Sequence, residues 1–294
     1  MKIRQILDSK RTLSFEFFPP ADDAGVKRLF DTIDTLKTYD PDFVSITYGA
    51  GGSTQAMTVE MSVRAQRESG LTVMAHITCA DQTSEFVDEV LRRLEAEGIE
   101  NMIALRGDPP RGQSELVAVD GGFDHASDLI DHIKRGFGFG LAAAAYPEGH
   151  PESADLESDL KYTRLKVGQG AEFLITQLFY DNDDYYSFVD RAKNAGIRVP
   201  IIPGLMPILS APQIRRITGM CGASVPAELD RLLEKHGADN KAVRQIGIEH
   251  TTRQASDLLD HGAPGVHFYV LNRRYSMTRI LENLRESGHV AAFS

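Results

Sequence analysis

Leu13-Ser14-Phe15-Glu16-Phe17-Phe18, followed by Pro19-Pro20, is the first of eight short runs rich in β-branched and aromatic residues. Working outward from it, the others are Phe43–Tyr48, Thr72–Cys79, Met102–Leu105, Leu141–Tyr146, Phe173–Tyr180, Ile201–Leu205 and Val266–Leu271. Each is strand-length and nearly continuous in apolar character, the pattern of a parallel strand covered on both faces. The segments between them carry a helical period. Leu29, Ile33 and Leu36 share one face after the first run, and Phe86, Val90 and Leu94 do so after the third. Leu129 and Ile133 follow the fourth run, and Leu160 and Val167 the fifth. Strand and helix alternate at a spacing of about 30 residues, the size of one βα repeat. Eight such units predict an α/β fold, a (β/α)8 TIM barrel forming a single domain over residues 1–294. An open doubly wound sheet shares the alternation, and the count of eight favours closure. Residues 210–262 carry extra helical material before the last strand, including Pro226–His236 and Lys241–His261.

The 294 residues are 42% hydrophobic and 25% charged, a globular balance that excludes disorder as the main state. With 32 basic against 42 acidic residues, the formal net charge is −10, and no nucleic-acid partner is expected. No apolar stretch approaches the roughly 18 residues of a membrane span. The N-terminus has no apolar signal core, because Asp8, Lys10 and Arg11 follow at once. A cytoplasmic protein is expected. Cys79 and Cys221 stand alone and far apart, which argues against a disulfide scaffold and against a zinc or iron–sulfur site, and no metal is expected.

In a barrel the chemistry gathers at the C-terminal strand ends. Polar residues stand at or near most of these ends: Glu16, Thr47 and Tyr48, His76 and Thr78, Arg106 to Asp108, Tyr146 with Glu148 and His150, Thr176 and Gln177, and finally His267, Tyr269, Asn272 and Arg273. Glu16 is the sharpest. A carboxyl group among phenylalanines is expected to be desolvated and raised in pKa, as a general acid requires; the alternative is a buried Glu paired with an Arg. Arg106-Gly107-Asp108-Pro109-Pro110 reads either as a surface turn or as an anion-binding Arg beside a functional Asp. Gly49–Thr54 lacks a Walker lysine and reads as a βα loop or a weak phosphate cradle. Gly138–Ala143 has the letters of a dinucleotide fingerprint in the wrong context, since it leads into a strand. His76 in an apolar strand reads first as a core histidine.

Taken in order, Phe15-Glu16-Phe17-Phe18-Pro19-Pro20, Ser45-Ile46-Thr47-Tyr48-Gly49-Ala50, His76-Ile77-Thr78-Cys79, Ala104-Leu105-Arg106-Gly107-Asp108, Ala145–Glu152, Ile175–Asp181, Pro203–Pro207 and His267–Arg273 closely resemble the methylenetetrahydrofolate reductase family. The resemblance spans about residues 13–275. It implies a flavin-dependent oxidoreductase of one-carbon metabolism and methionine biosynthesis that binds FAD in a barrel. NADH or NADPH and methylenetetrahydrofolate would use the site in turn, by a ping-pong mechanism. It implies Glu16 as general acid and Asp108 as the carboxylate facing folate and flavin. Flavin contacts carry over to Thr47, Tyr48, Ala50, His76, Arg106, Gly107, Asp108, Ala126, Tyr146, His150, Ser153, Asp159 and Lys166. Substrate contacts carry over to Glu16, Thr47, Asp108, Gln177, Gln213 and Arg273, and a homo-oligomer is expected.

The sequence departs from the family pattern at Tyr162 and Leu165, where some relatives have a polar and a basic flavin contact, and at Ile217, where one bacterial branch has an aromatic residue. The animal enzymes' C-terminal regulatory domain has no counterpart here, so inhibition by S-adenosylmethionine is not expected. Two other readings rest on the same residues: an acid/base barrel lyase using Glu16, Asp108 and His76, and an inactive barrel kept for partner binding.

Overall fold

The computed structural model describes residues 1–20, 22–48, 52–107 and 119–289, with residues 52–55 in backbone only. The strands are β1 (Thr12–Phe17), β2 (Phe43–Ile46), β3 (Val73–Thr78), β4 (Asn101–Leu105), β5 (Gly140–Ala145), β6 (Phe173–Thr176), β7 (Ile201–Ile202), β8 (Gly204–Leu205) and β9 (Gly265–Tyr269). Every pairing between them is parallel, in the order β7-β6-β5-β4-β3-β2-β1-β9-β8. β7 pairs with β6, whereas β8 pairs with β9. The two are halves of one strand position, split at Pro203, which has no N–H to donate and whose carbonyl accepts from His267 N at 3.0 Å. Nine segments thus fill eight positions and the ring closes, as the eight apolar runs predict. Gly265 begins β9 at φ +154°, where a Cβ would stand 2.2 Å from Thr12 O; only glycine lets the last strand meet the first so closely.

Among the described residues eleven helices surround the ring: α1 (Ile3–Ser9), α2 (Asp23–Lys37), α3 (Gly52–Ser69), α4 (Ser84–Ala96), α5 (Ala126–Gly136), α6 (Leu156–Gln169), α7 (Asn182–Asn194), α8 (Ala211–Cys221), α9 (Ala227–His236), α10 (Asn240–Asp260) and α11 (Arg274–Glu286). Side-chain oxygens of Asp22, Thr83, Asp155, Asp181, Ser210 and Asp239 cap six of their N-termini. The extra helical material expected over 210–262 is α8, α9 and α10. It buries an apolar cluster of its own that includes Tyr180, Met206, Ile208, Ile214, Leu233 and Val243. No described helix is long and apolar enough to cross a membrane.

Alternation along the strands separates two environments. Leu13, Phe15 and Phe17 of β1 join the shell between strands and helices. Phe43, Met74, Ile103, Ala142, Phe173 and Ile202 fill the barrel interior with Ile3 of α1, an element the strand pattern does not reveal. Asn101 ties α1 to the barrel floor: its Oδ1 accepts from Ile3 N at 2.8 Å and its Nδ2 donates to Met1 O at 3.0 Å. Replacing Asn101 by Ala leaves the Ile3 N–H unpaired in a buried site. It should destabilise the chain by about 1–3 kcal/mol, read as a lower urea midpoint with an unchanged slope.

Candidate active site

A cleft of about 1580 Å³ opens at the C-terminal ends of the strands. Its walls carry Glu16 of β1, Thr47 and Tyr48 after β2, His76 and Thr78 of β3, Arg106 and Gly107 after β4, and Ala126 of α5. Tyr146, His150 and Ser153 after β5, Asp159 and Lys166 of α6, Gln177 after β6 and Tyr269 of β9 line it as well. One mouth therefore collects residues from seven strand ends and two helices, as expected for barrel strand ends.

At the base lies a buried acid. Glu16 is 7% exposed and points to the interior, away from Phe15 and Phe17, because neighbouring residues on a strand face opposite ways. Its Oε2 lies 3.3 Å from His76 Nε2 and 3.5 Å from His267 Nε2, and accepts from Ser45 Oγ at 3.4 Å. Ser14 Oγ lies 2.8 Å from His267 Nδ1 and donates to Val266 O at 3.3 Å. With the serine proton spent on the carbonyl, its oxygen accepts from Nδ1–H of His267, and Nε2 faces Glu16.

The electrostatic outcome corrects the sequence reading. Burial pushes the Glu16 carboxyl up, but the charges and hydrogen bonds of His76 and His267 outweigh it and hold the group down at about 2. Phe15 and Phe17, which suggested a neutral acid, belong to the outer shell. Nor is Glu16 paired with an arginine among the described residues. His76 is buried, as a core histidine would be, but its Nε2 faces Glu16 at 3.3 Å and the residue lines the cleft wall.

The far side is built for negative charge. Burial pushes the Lys166 ammonium down to about 8, against the pull of Asp159. Its Nζ donates to Ala144 O at 2.5 Å and lies 5.7 Å from the Tyr146 ring centroid. Tyr146 meets His150 edge-on at 4.7 Å. Burial raises the Asp159 carboxyl, which accepts from His150 N and Ser153 Oγ. Arg106 makes a bidentate pair with Glu152 at 2.5 and 2.7 Å. Gly107 has φ +90°, and a Cβ there would stand 2.8 Å from Ala80 Cβ. The chain there turns tightly against the end of β3.

Other expected residues stand elsewhere. Gln213 sits on α8 with its Oε1 accepting from Leu209 N, and Arg273 is the exposed residue preceding α11; neither lines the described cleft. Ile217 packs into the apolar cluster of the extra helices, Tyr162 lines the cleft, and Leu165 is exposed on α6. Ala50 and Asp108 lie outside the described residues, as do Gly49 and Gly51 of the Gly49–Thr54 loop, whose last three residues begin α3. Sequence reasoning gave no role to His267, Ser45, Ser14 or Glu152. The signal for the first three is the period of two, which puts Ser14 and Glu16, then His267 and Tyr269, on one face of their strands.

Residues 2–285 match the model of the family described as methylenetetrahydrofolate reductase. "Methylenetetrahydrofolate reductase (NADH) 1" of Arabidopsis thaliana is 41% identical over 295 residues, covering 96% of this chain and 50% of its own length. "5,10-methylenetetrahydrofolate reductase" of Escherichia coli K12 is 34% identical over 261 residues, covering 89% of this chain and 86% of its own. The chain thus spans about half the length of the plant relatives it matches. Among solved structures, an uncharacterised Clostridium thermocellum protein that binds two copies of 5-methyl-5,6,7,8-tetrahydrofolic acid shares the fold. It has a TM-score of 0.67 at 16% identity, covering 99% of this chain and all of that one. Matched across nearly its whole length, the chain belongs to the methylenetetrahydrofolate reductase family.

Proposed function

We propose that this protein reduces 5,10-methylenetetrahydrofolate to 5-methyltetrahydrofolate with electrons from a reduced nicotinamide nucleotide, by way of FAD, both substrates using one cleft in turn. The observation that carries this reading is Glu16 at the base of the cleft, flanked by His76 and His267 at 3.3 and 3.5 Å. Family membership supplies the substrate class, and the printed names of the plant relatives favour NADH as the donor.

The residues present fit FAD. The cleft exceeds the roughly 300–1,000 Å³ of a small-ligand pocket, leaving room for a dinucleotide and a second ring. His76, whose Nε2 lies 3.3 Å from Glu16, presents a polar edge on the wall. Arg106 and Lys166 suit a diphosphate, although Glu152 must give up Arg106 as the phosphate enters. Tyr146 and His150 would line the cofactor, with Thr47, Tyr48, Gly107, Ala126, Ser153 and Asp159 around it. Ala50 and Asp108 complete the set that the family likeness implies, with Asp108 facing both flavin and folate. When bound, FAD supplies the hydride that turns the opened folate into its methyl form.

The chain's own task is to deliver a proton. Opening the five-membered ring of methylenetetrahydrofolate to an iminium needs protonation of the departing nitrogen. Glu16, held as a carboxylate, cannot donate until it has itself been protonated. His267, backed by Ser14, passes a proton from Nε2 to Glu16 Oε2, and Glu16 hands it to the substrate. A ring system closing over the cleft removes water from Glu16, strengthens the burial effect and raises its proton affinity when the substrate is in place.

Two measurements follow. Glu16→Gln should keep bound flavin and its reduction by NADH within a few-fold, yet slow reoxidation by methylenetetrahydrofolate at least 100-fold in anaerobic stopped-flow, the scale of general acid catalysis. Equal loss in both half-reactions removes the assigned role, and a wild-type protein with no folate-dependent reoxidation removes the proposed activity. For Lys166, the folded-state pKa near 8 lies below the ordinary lysine value. The folded chain therefore sheds this proton first, and its stability rises with pH between about 8 and 10.5. Arginine cannot shed a proton in this range, so the melting-temperature gap between wild type and Lys166→Arg should widen from pH 7.5 to 9.5. FAD affinity, which needs the ammonium, should fall over the same range.

A further inference from the structure

The seam between the first and last barrel strands ends in an unusual way. Val270 N donates to Glu16 O at 3.1 Å, the last backbone bond between β1 and the chain leaving β9. In a continued parallel ladder the next donor, Phe18 N, would be served by Val270 O. That carbonyl is taken, because Arg273 N donates to it at 3.1 Å and closes a four-residue turn. Both central residues of the turn are left-handed, Leu271 at φ +54° and Asn272 at φ +52°. Such a pair is the mark of a type I′ turn and is ordinarily left to Gly, Asn or Asp. A leucine there is strained, and strain of this kind persists where surrounding structure holds it for a purpose.

The Asn272 side chain stands in for the missing ladder. Its Oδ1 accepts from Phe18 N at 3.0 Å, and its Nδ2 donates to Phe18 O at 2.8 Å. Both backbone groups of Phe18 are thus satisfied by one amide. Phe18 is two residues past Glu16, its ring is 38% exposed, and it lines the cleft. Pro19 follows and has no N–H with which to pair.

We infer that Asn272 is a positioning residue, its amide a two-point splint that extends the β1–β9 seam past its last backbone hydrogen bond and sets Glu16 and the Phe18 ring at the substrate rim. The left-handed turn is what aims the amide back at β1. The inference rests on the reductase reading for its effect on rate. Its structural half, the hold on Phe18, is independent of any ligand.

Three variants separate the amide from the turn. Asn272→Gly keeps a residue at ease with positive φ and removes the amide; Asn272→Ala removes the amide and strains the turn; Asn272→Asp keeps only the acceptor for Phe18 N–H. In the flavin-loaded protein, Gly and Ala should slow reoxidation by saturating methylenetetrahydrofolate at least tenfold and move the pH midpoint of that step. Reduction by NADH should stay within threefold, and Asp should fall between wild type and Gly. Should the Ala variant not fold, the Gly variant carries the test. Hydrogen exchange supplies the second readout: the Phe18 amide should exchange at least tenfold faster in Asn272→Gly than in wild type, with no ligand present. A Gly variant with wild-type folate rate and pH midpoint, or parallel losses in both half-reactions, overturns the positioning role. Unchanged Phe18 exchange overturns the splint itself. A wild-type protein that shows no folate-dependent reoxidation, but whose Phe18 amide is deprotected by Asn272→Gly, refutes the proposed reaction and leaves the splint standing.

Discussion

A carboxylate inside a barrel is stable only if something answers its charge, and in this protein two imidazoles do. Glu16 lies between His76 and His267, and a serine hydroxyl on Ser45 adds a third contact. Much of the barrel interior follows from that requirement. Ser14 holds His267 from below, Tyr269 sends its hydroxyl to Thr176 O at 2.6 Å rather than toward the acid, and burial with the nearby Glu16 charge raises its phenol further. Below this belt the interior is apolar, from Phe43 and Phe173 down to Ile3. The polar layer near the top is therefore a local departure from a packed hydrocarbon core, placed where the cleft begins.

The two sides of the cleft carry different electrostatics, and the difference divides their tasks. Toward β1, β3 and β9, a carboxylate and two imidazoles lie within 3.5 Å of one another. Toward α6, Lys166 has its pKa pushed down by burial, and Arg106 is paired with Glu152. A ligand that is acidic at one end and a weak base at the other lies naturally across such a gradient. Charged groups in a partly dry cleft interact more strongly than in water, so each side acts with few residues.

Much of this was legible in the chain itself. The apolar runs lie within a residue or two of most observed strand starts, and the polar residues at their ends include most of the described cleft residues carried over from the family likeness, though not Ala126, Ser153, Asp159 or Lys166. What was not legible has physical causes. The split of the seventh strand position at Pro203 depends on which neighbour each half pairs with. Gln213 and Arg273 follow strand ends in sequence, yet α8 and the turn at Val270–Arg273 take them off the described wall. The protonation of Glu16 was misjudged because neighbours in sequence were taken as neighbours in space.

By itself, the sequence determined the period, the number of βα units, the extra helices and the carboxyl group in the first strand, because these depend on residue order and on local rules of strand and helix. The fold alone decided what surrounds that carboxyl group. His267 is 251 residues away from Glu16 along the chain, and only closure of β9 onto β1 brings its ring beside the acid. A carboxyl pKa is set by charges within a few ångströms, and those distances exist only once the ring of strands has closed.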